Sequence, residues 1–246
     1  MSGQLRFLLG YEQLVKNLLQ SLPEDDAAAQ AVGGDFEHFG VLEHALLRGE
    51  GLRDGSSILD VGCGSGRLAT KLGRYPALRY LGLDVVPELL DYARRKVGRP
   101  DFHFEKVDAP KMPLSAPVLD FCVFFSVFTH ILPEESYVYL EEAHRVLKPG
   151  GKVVFSFLEH ASAASKPVFD ANLKWVRERH VAGHLNTFLH RADLRVWAER
   201  IGFEVAALHL GESRFIEVDA ECATPAVSEG LYALGQSVCV LRKRGG

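Results

Sequence analysis

Twelve consecutive residues, Ile58-Leu59-Asp60-Val61-Gly62-Cys63-Gly64-Ser65-Gly66-Arg67-Leu68-Ala69, limit what this chain can fold into more than any other stretch. Ile58 to Val61 reads as a short buried strand. Glycines then alternate at 62, 64 and 66, and an apolar helical pattern opens with Leu68, Ala69 and Leu72. A strand that turns sharply into a helix leaves backbone N–H groups and the positive end of a helix dipole facing one small pocket. Glycine suits such a turn because a side chain would keep a ligand off the main chain. Two familiar loops fail on spacing. A dinucleotide fold asks for G-x-G-x-x-G, and Arg67 stands where its third glycine belongs. A phosphate loop ends in Gly-Lys-Ser/Thr, which is absent here.

The strands that follow narrow the choice. Arg79 to Leu83 reads as a second strand ending at Asp84, eighteen residues past Gly66. A carboxylate at such a strand tip is placed to accept two hydrogen bonds from ribose hydroxyls. Phe102 to Val107 makes a third strand ending at Asp108, and Val118 to Val127 a fourth. Then comes Arg145-Val146-Leu147-Lys148-Pro149-Gly150-Gly151-Lys152-Val153, a turn into strand five. In this order and spacing, residues 56 to 158 resemble the class I S-adenosylmethionine-dependent methyltransferases, whose first motif is G-x-G-x-G behind an L-D-V strand.

The resemblance implies an α/β, Rossmann-like three-layer sandwich with a seven-stranded, mostly parallel sheet and an antiparallel last strand. It implies S-adenosylmethionine as cofactor and S-adenosylhomocysteine as product. Gly62, Cys63, Gly64 and Gly66 would lie against the methionine and ribose part. Asp60 would place the loop, and Asp84 would bind the ribose hydroxyls. Val85 and Leu89 would flank the adenine, and Asp108 with the Ala109 N–H would meet its amino group. The backbone at Ser126 would contact the methionine end. Taken without the resemblance, Asp84 and Asp108 could each merely cap the turn that follows.

Length allows one sizeable core, so 1–246 is expected to form a single domain. Within it, residues 1–50 form an N-terminal helical cap and 56–158 the cofactor core, while 159–190 and 211–234 are insertions that shape a substrate pocket. The net charge of −4, with no basic stripe, argues against a nucleic-acid partner. Arg242 to Arg244 is expected to be a solvated tail. Four cysteines without C-x-x-C pairing suggest reduced thiols and a cytoplasmic protein. No apolar run is long enough to span a bilayer, so no membrane partner is expected. A small-molecule acceptor is, and a homodimer is allowed.

Along the chain, Leu8, Tyr11, Val15, Leu18, Leu19 and Leu22 recur at helical spacing until Pro23 stops them. Glu24 to Gly34, acidic and alanine-rich, reads as a mobile connection. Helices are expected at about 36–48, from Pro87, from Pro133, near 168–179, and from Arg191 to a Gly202 cap. Strands are expected at Lys152 to Leu158, Phe203 to Leu210 and Gln236 to Leu241. The last two should pair antiparallel, with the second insertion at their tip.

Methyl transfer from a sulfonium needs donor and acceptor held at contact distance, and a base only if the acceptor is protonated. His130 is the first candidate base, since ligands collect beyond the carboxyl ends of strands in open sheets. It could equally support the next turn as a buried histidine. His160 and His184 follow as substrate contacts or bases. His180 and His184 have i, i+4 spacing, but Gly183 weakens a helix there and no carboxylate cluster supports a metal. The reading is therefore of O- or N-methylation of a small molecule. Rivals are aminopropyl transfer, a hydrolase or decarboxylase on the same fold, and a non-catalytic nucleoside-binding protein.

Overall fold

The computed structural model describes residues 6–178 and 186–245. It divides into two compact units, one running to Ala109 and including Phe215–Tyr232, the other comprising Pro110–Arg214 and the residues from Ala233 onward.

The first unit begins with three helices, α1 (Arg6–Ser21), α2 (Glu24–Ala31) and α3 (Phe36–Gly49). Then β1 (Ser57–Val61), α4 (Arg67–Leu72), β2 (Arg79–Asp84), α5 (Pro87–Val97) and β3 (His103–Lys106) alternate. β1 is buried along its whole length and pairs in parallel with β2, which pairs in parallel with β3. Pro87 opens α5 with its ring pre-set for a first turn, and Gly98 closes it in the left-handed conformation.

The stretch expected as a mobile connection is a helix. Alanine carries the best helix propensity, and three acidic residues fall in the first turn, where they complement the dipole. Ala27, Ala28 and Ala31 are buried, while Arg95 pairs with Glu24 and Lys96 with Asp25. Side chains small enough to bury without an apolar stripe gave no periodic signal.

The second unit holds β4 (Leu119–Phe124), α6 (Pro133–Val146), β5 (Leu147–Phe157), a 3-10 turn, α7 (Lys166–Glu178), α8 (Arg191–Ile201) and β6 (Phe203–His209). β4 and β5 are parallel. The Lys148 to Gly151 turn lies inside β5 rather than before it, as a register shift between Leu119 and Phe121. α8 starts and stops where the sequence places it: His190 Nδ1 accepts the Ala192 N–H, and Gly202 caps the end at φ +103°.

A short hairpin, β7 (Ile216–Val218) with β8 (Gly230–Tyr232), belongs to the first unit, where it lies against α3. Arg48 of α3 pairs with Asp219 at 3.0 Å and with Glu221. Buried His44 bridges the Tyr75 hydroxyl at 2.8 Å and the Cys222 thiol at 3.6 Å. Burial pushes the His44 pKa down to about 4, so the ring bridges as neutral imidazole.

Finally β9 (Ser237–Lys243) pairs antiparallel with both β5 and β6. The seven-stranded sheet has the order β3-β2-β1-β4-β5-β9-β6 and is mostly parallel, with β9 antiparallel to both its neighbours. The basic run at the end is no tail: Arg242 pairs with Glu204, and Lys243 donates to the His144 and Leu147 carbonyls at 2.6 and 2.9 Å.

Candidate functional site

In the first unit the loop after β1 folds back on the tip of β2. The Gly62 and Cys63 N–H groups both donate to the Leu83 carbonyl, at 2.7 and 3.0 Å. Gly62, Gly64 and Gly66 all take positive φ, at 74°, 53° and 80°. The alternation in the sequence is thus a run of left-handed residues that only glycine adopts without penalty. Gly66 has a second reason to lack a side chain. A Cβ there would lie 2.9 Å from Ala93 of α5.

Asp84 ties this loop down. One carboxylate oxygen accepts the Gly64 N–H at 2.8 Å and the other the Val86 N–H at 3.0 Å. Burial raises the Asp84 pKa, and these N–H bonds partly offset that. Asp60 is buried too and accepts the Tyr80 hydroxyl at 2.8 Å. Burial pushes its pKa up to about 7. Cys63 points inward toward Gly82, where an added Cβ would meet its Sγ at 2.8 Å, and burial pushes its thiol well up. Only the Cys63 backbone is therefore available to a ligand.

The helical cap closes on the same loop. Ser65 Oγ donates to the Ala28 carbonyl at 3.0 Å. Arg67 donates to the Val32 carbonyl at 2.9 Å and pairs with buried Glu43. A Cβ on Gly64 would stand 2.5 Å from Val32 Cγ1. Val15, Ala31, Val86 and Leu89 form one apolar cluster, with Tyr11, Leu18, Leu19 and Val85 packed on it. The Tyr11 hydroxyl donates to the Ala31 carbonyl at 3.1 Å, and burial first, then the nearby Asp84 and Cys63, raise its pKa.

Asp60, Cys63, Gly64 and Asp84 are thus brought together, with Val85 and Leu89 beside them. Asp108 and Ala109 are exposed just past β3, where the Val107 N–H donates to the Asp84 carbonyl at 3.0 Å. Val32, Glu43, Ser65 and Tyr80 also belong to this neighbourhood. Nothing in the sequence singled them out. Tyr80 becomes legible only once β1 and β2 are paired in register.

The second unit carries Ser126 and His130 in the turn after β4. Ser126 has φ +59°, one of two non-glycine residues with positive φ among the described residues. The His130 N–H donates to the Val127 carbonyl at 3.0 Å. His160 is exposed and stacked on Phe188, centroids 4.6 Å apart, with Phe169 edge-on. His184, like His180, lies outside the described residues. Among those residues no group of three His, Cys, Asp or Glu side chains is placed to hold a metal, and no helix is long and apolar enough to cross a membrane.

A left-handed glycine loop behind a buried strand, tied to an acidic tip on the next strand of a mostly parallel sheet, defines a Rossmann-like nucleoside-binding protein. Residues 59–155 match the family described as "Methyltransferase domain". The chain is 32% identical to a malonyl-[acyl-carrier protein] O-methyltransferase of Serratia marcescens, over 57% of this chain and 51% of that protein. It is 38% identical to a demethylmenaquinone methyltransferase of Chlorobaculum parvum, over 42% of this chain and 40% of that one. The match thus spans about half the length of these curated relatives or less. In fold it is similar to the magnesium protoporphyrin IX methyltransferase of Synechocystis, solved with bound S-adenosylhomocysteine, at TM-score 0.58 and 17% identity over 84% of this chain and 83% of that one. Over residues 59–155 the chain thus carries a methyltransferase domain of the class I, S-adenosylmethionine-dependent kind.

The residues present suit that cofactor. One Asp84 oxygen accepts from the glycine loop and the other from Val86 at the start of α5, and a carboxylate oxygen with one such bond has a further lone pair to offer a ribose hydroxyl. Val85 and Leu89 offer an apolar flank. A ligand lying against Gly64 would take space that Val32 now fills.

Proposed function

We propose that this protein transfers a methyl group from S-adenosylmethionine to an oxygen or nitrogen of a small-molecule acceptor by in-line displacement. The observation that carries the reading is the Asp84 carboxylate bound to the Gly64 amide, inside the segment that matches the methyltransferase domain. The cofactor supplies an activated methyl and a good leaving group. Asp84 would hold the ribose, Asp60 and the glycines at 62, 64 and 66 would set the loop, and Cys63 would contribute main chain only. Val85 and Leu89 would flank the adenine, with Asp108 and Ala109 at its amino group. The Ser126 backbone would meet the methionine end. His130 would take the acceptor's proton where one must leave.

An oxygen acceptor gains support from the O-methyltransferase among the relatives. Residues 1–50 would cover the cofactor, with Val32 moving off Gly64 to admit it; the contacts of Ala28 and Val32 with Ser65 and Arg67 hold this segment against the glycine loop. The partly exposed aromatic cluster of His160, Phe169 and Phe188 would serve the acceptor. The reaction would take place in the cytoplasm, without nucleic acid or membrane.

Mass spectrometry with methyl-labelled cofactor and a panel of carboxylic, phenolic and amine acceptors tests the reading. Label on an acceptor supports it. Cofactor cleavage without transfer, or binding without either, rejects it.

A further inference from the structure

We propose that Gln236 is a positioning residue, which holds the turn after β4 in a strained left-handed conformation so that its backbone is set for the cofactor before binding. Resting as it does on the reading that the Ser126 backbone meets the cofactor's methionine end, the proposal adds the side chain that keeps it there.

A serine at φ +59° is disfavoured because its Cβ crowds the backbone. Such a residue persists when its surroundings over-determine it. Here three side-chain hydrogen bonds close a ring around Ser126. Its N–H donates to Ser156 Oγ at 2.7 Å. The Ser156 hydroxyl, with its proton left to give, donates to Gln236 Oε1 at 2.7 Å. Gln236 Nε2 donates back to Ser126 Oγ at 3.1 Å. With Oε1 accepting the Ser156 proton, the Gln236 amide nitrogen is the group left to donate to Ser126 Oγ.

The ring is anchored on two sides. Ser156 is buried on β5. Gln236 directly precedes β9, which pairs with β5 through Phe157 and Ser237. Gly211 lets the chain come in here, because a Cβ at that position would lie 2.9 Å from the Gly235 carbonyl and 3.1 Å from Gln236. The Ser126 carbonyl is fixed as well, accepting the buried Thr129 hydroxyl at 2.7 Å. A loop built only to connect β4 and α6 has no need of this. Glycine at 126 would adopt the same φ at no cost, without the ring.

That last point supplies the test. Gln236→Met keeps the length of the side chain and removes its hydrogen bonds to Ser126 and Ser156. S-adenosylhomocysteine affinity, measured by calorimetry, should fall about tenfold, the equivalent of one strained residue released. Adding Ser126→Gly should return it to within about threefold of the wild type, since glycine needs no clamp. Wild-type affinity in Gln236→Met would overturn the proposal. So would failure of glycine to rescue in a variant that melts with the wild type. If Gln236→Met does not fold, Ser156→Ala with and without Ser126→Gly should give the same loss and rescue, and the same failures count against it. Asp84→Asn in the same assay separates the two readings. If it weakens binding and Gln236→Met does not, Gln236 alone is misassigned. If the wild type binds no S-adenosylhomocysteine, both readings fall.

Discussion

The Asp84 carboxylate accepts the Gly64 amide at 2.8 Å, joining the tip of β2 to the middle of the glycine loop. One side chain thereby shapes the loop and keeps lone pairs for a ligand. Asp84→Ala removes both roles. S-adenosylhomocysteine affinity should fall at least tenfold, as measured by calorimetry, and thermal stability should drop as Gly64 and Val86 lose their acceptor. Unchanged affinity would remove Asp84 from the site.

Val32 and Gly64 form a second pair that can be tested by a cycle. Gly64→Ala adds a Cβ at φ +53° and pushes it against Val32 Cγ1. The backbone penalty is about 1–2 kcal/mol, and the overlap about 1–3 kcal/mol more. Val32→Ala in the same chain should recover the overlap and leave the backbone penalty. Urea unfolding of the two single variants and the double variant measures the coupling, and strict additivity would show that the two residues do not touch.

Asp60 gives stability a pH dependence of unusual sign. Burial lifts its pKa to about 7, above the ordinary value of 3.8. The folded state therefore keeps a proton that the unfolded chain has already lost. This contribution is complete below the ordinary carboxylate range and disappears as pH rises through 7. Asp60→Asn has no proton to lose. Its unfolding free energy relative to wild type should rise by about 2–3 kcal/mol between pH 5 and pH 8, and a difference that stays flat would contradict the protonated form.

Arg67 occupies the position that excluded a dinucleotide loop in the sequence, and its guanidinium has another use. It pairs with Glu43, which is 3% exposed, and donates to the Val32 carbonyl. Arg67→Met leaves a buried carboxylate unpaired and should cost about 3–5 kcal/mol in denaturant unfolding. Glu43→Gln in the same chain should return part of that.

The glycine loop, Asp84 and the alternation of strands and helices were legible because each obeys a local rule: left-handed backbone needs glycine, and buried parallel strands read as apolar runs. Gly202 and Pro87 marked helix ends for the same reason. α2 escaped because its buried face is made of alanines, which carry no apolar period. Gln236 escaped because its meaning lies in Ser126 and Ser156, 110 and 80 residues away. The Arg242 to Arg244 run looked like a tail because composition does not show that its strand sits beside Glu204 and the end of α6.

His44 and Cys222 meet across 178 residues of chain. During synthesis on a ribosome, α3 must wait for a hairpin 178 residues further along the chain before His44 and Arg48 find their partners. The first unit can begin to assemble early yet is completed only once Phe215–Tyr232 has joined it. Closing so long a loop is entropically unfavourable and slows non-local assembly. A translation product cut short before the hairpin would carry the entire glycine loop and still lack the clasp on α3.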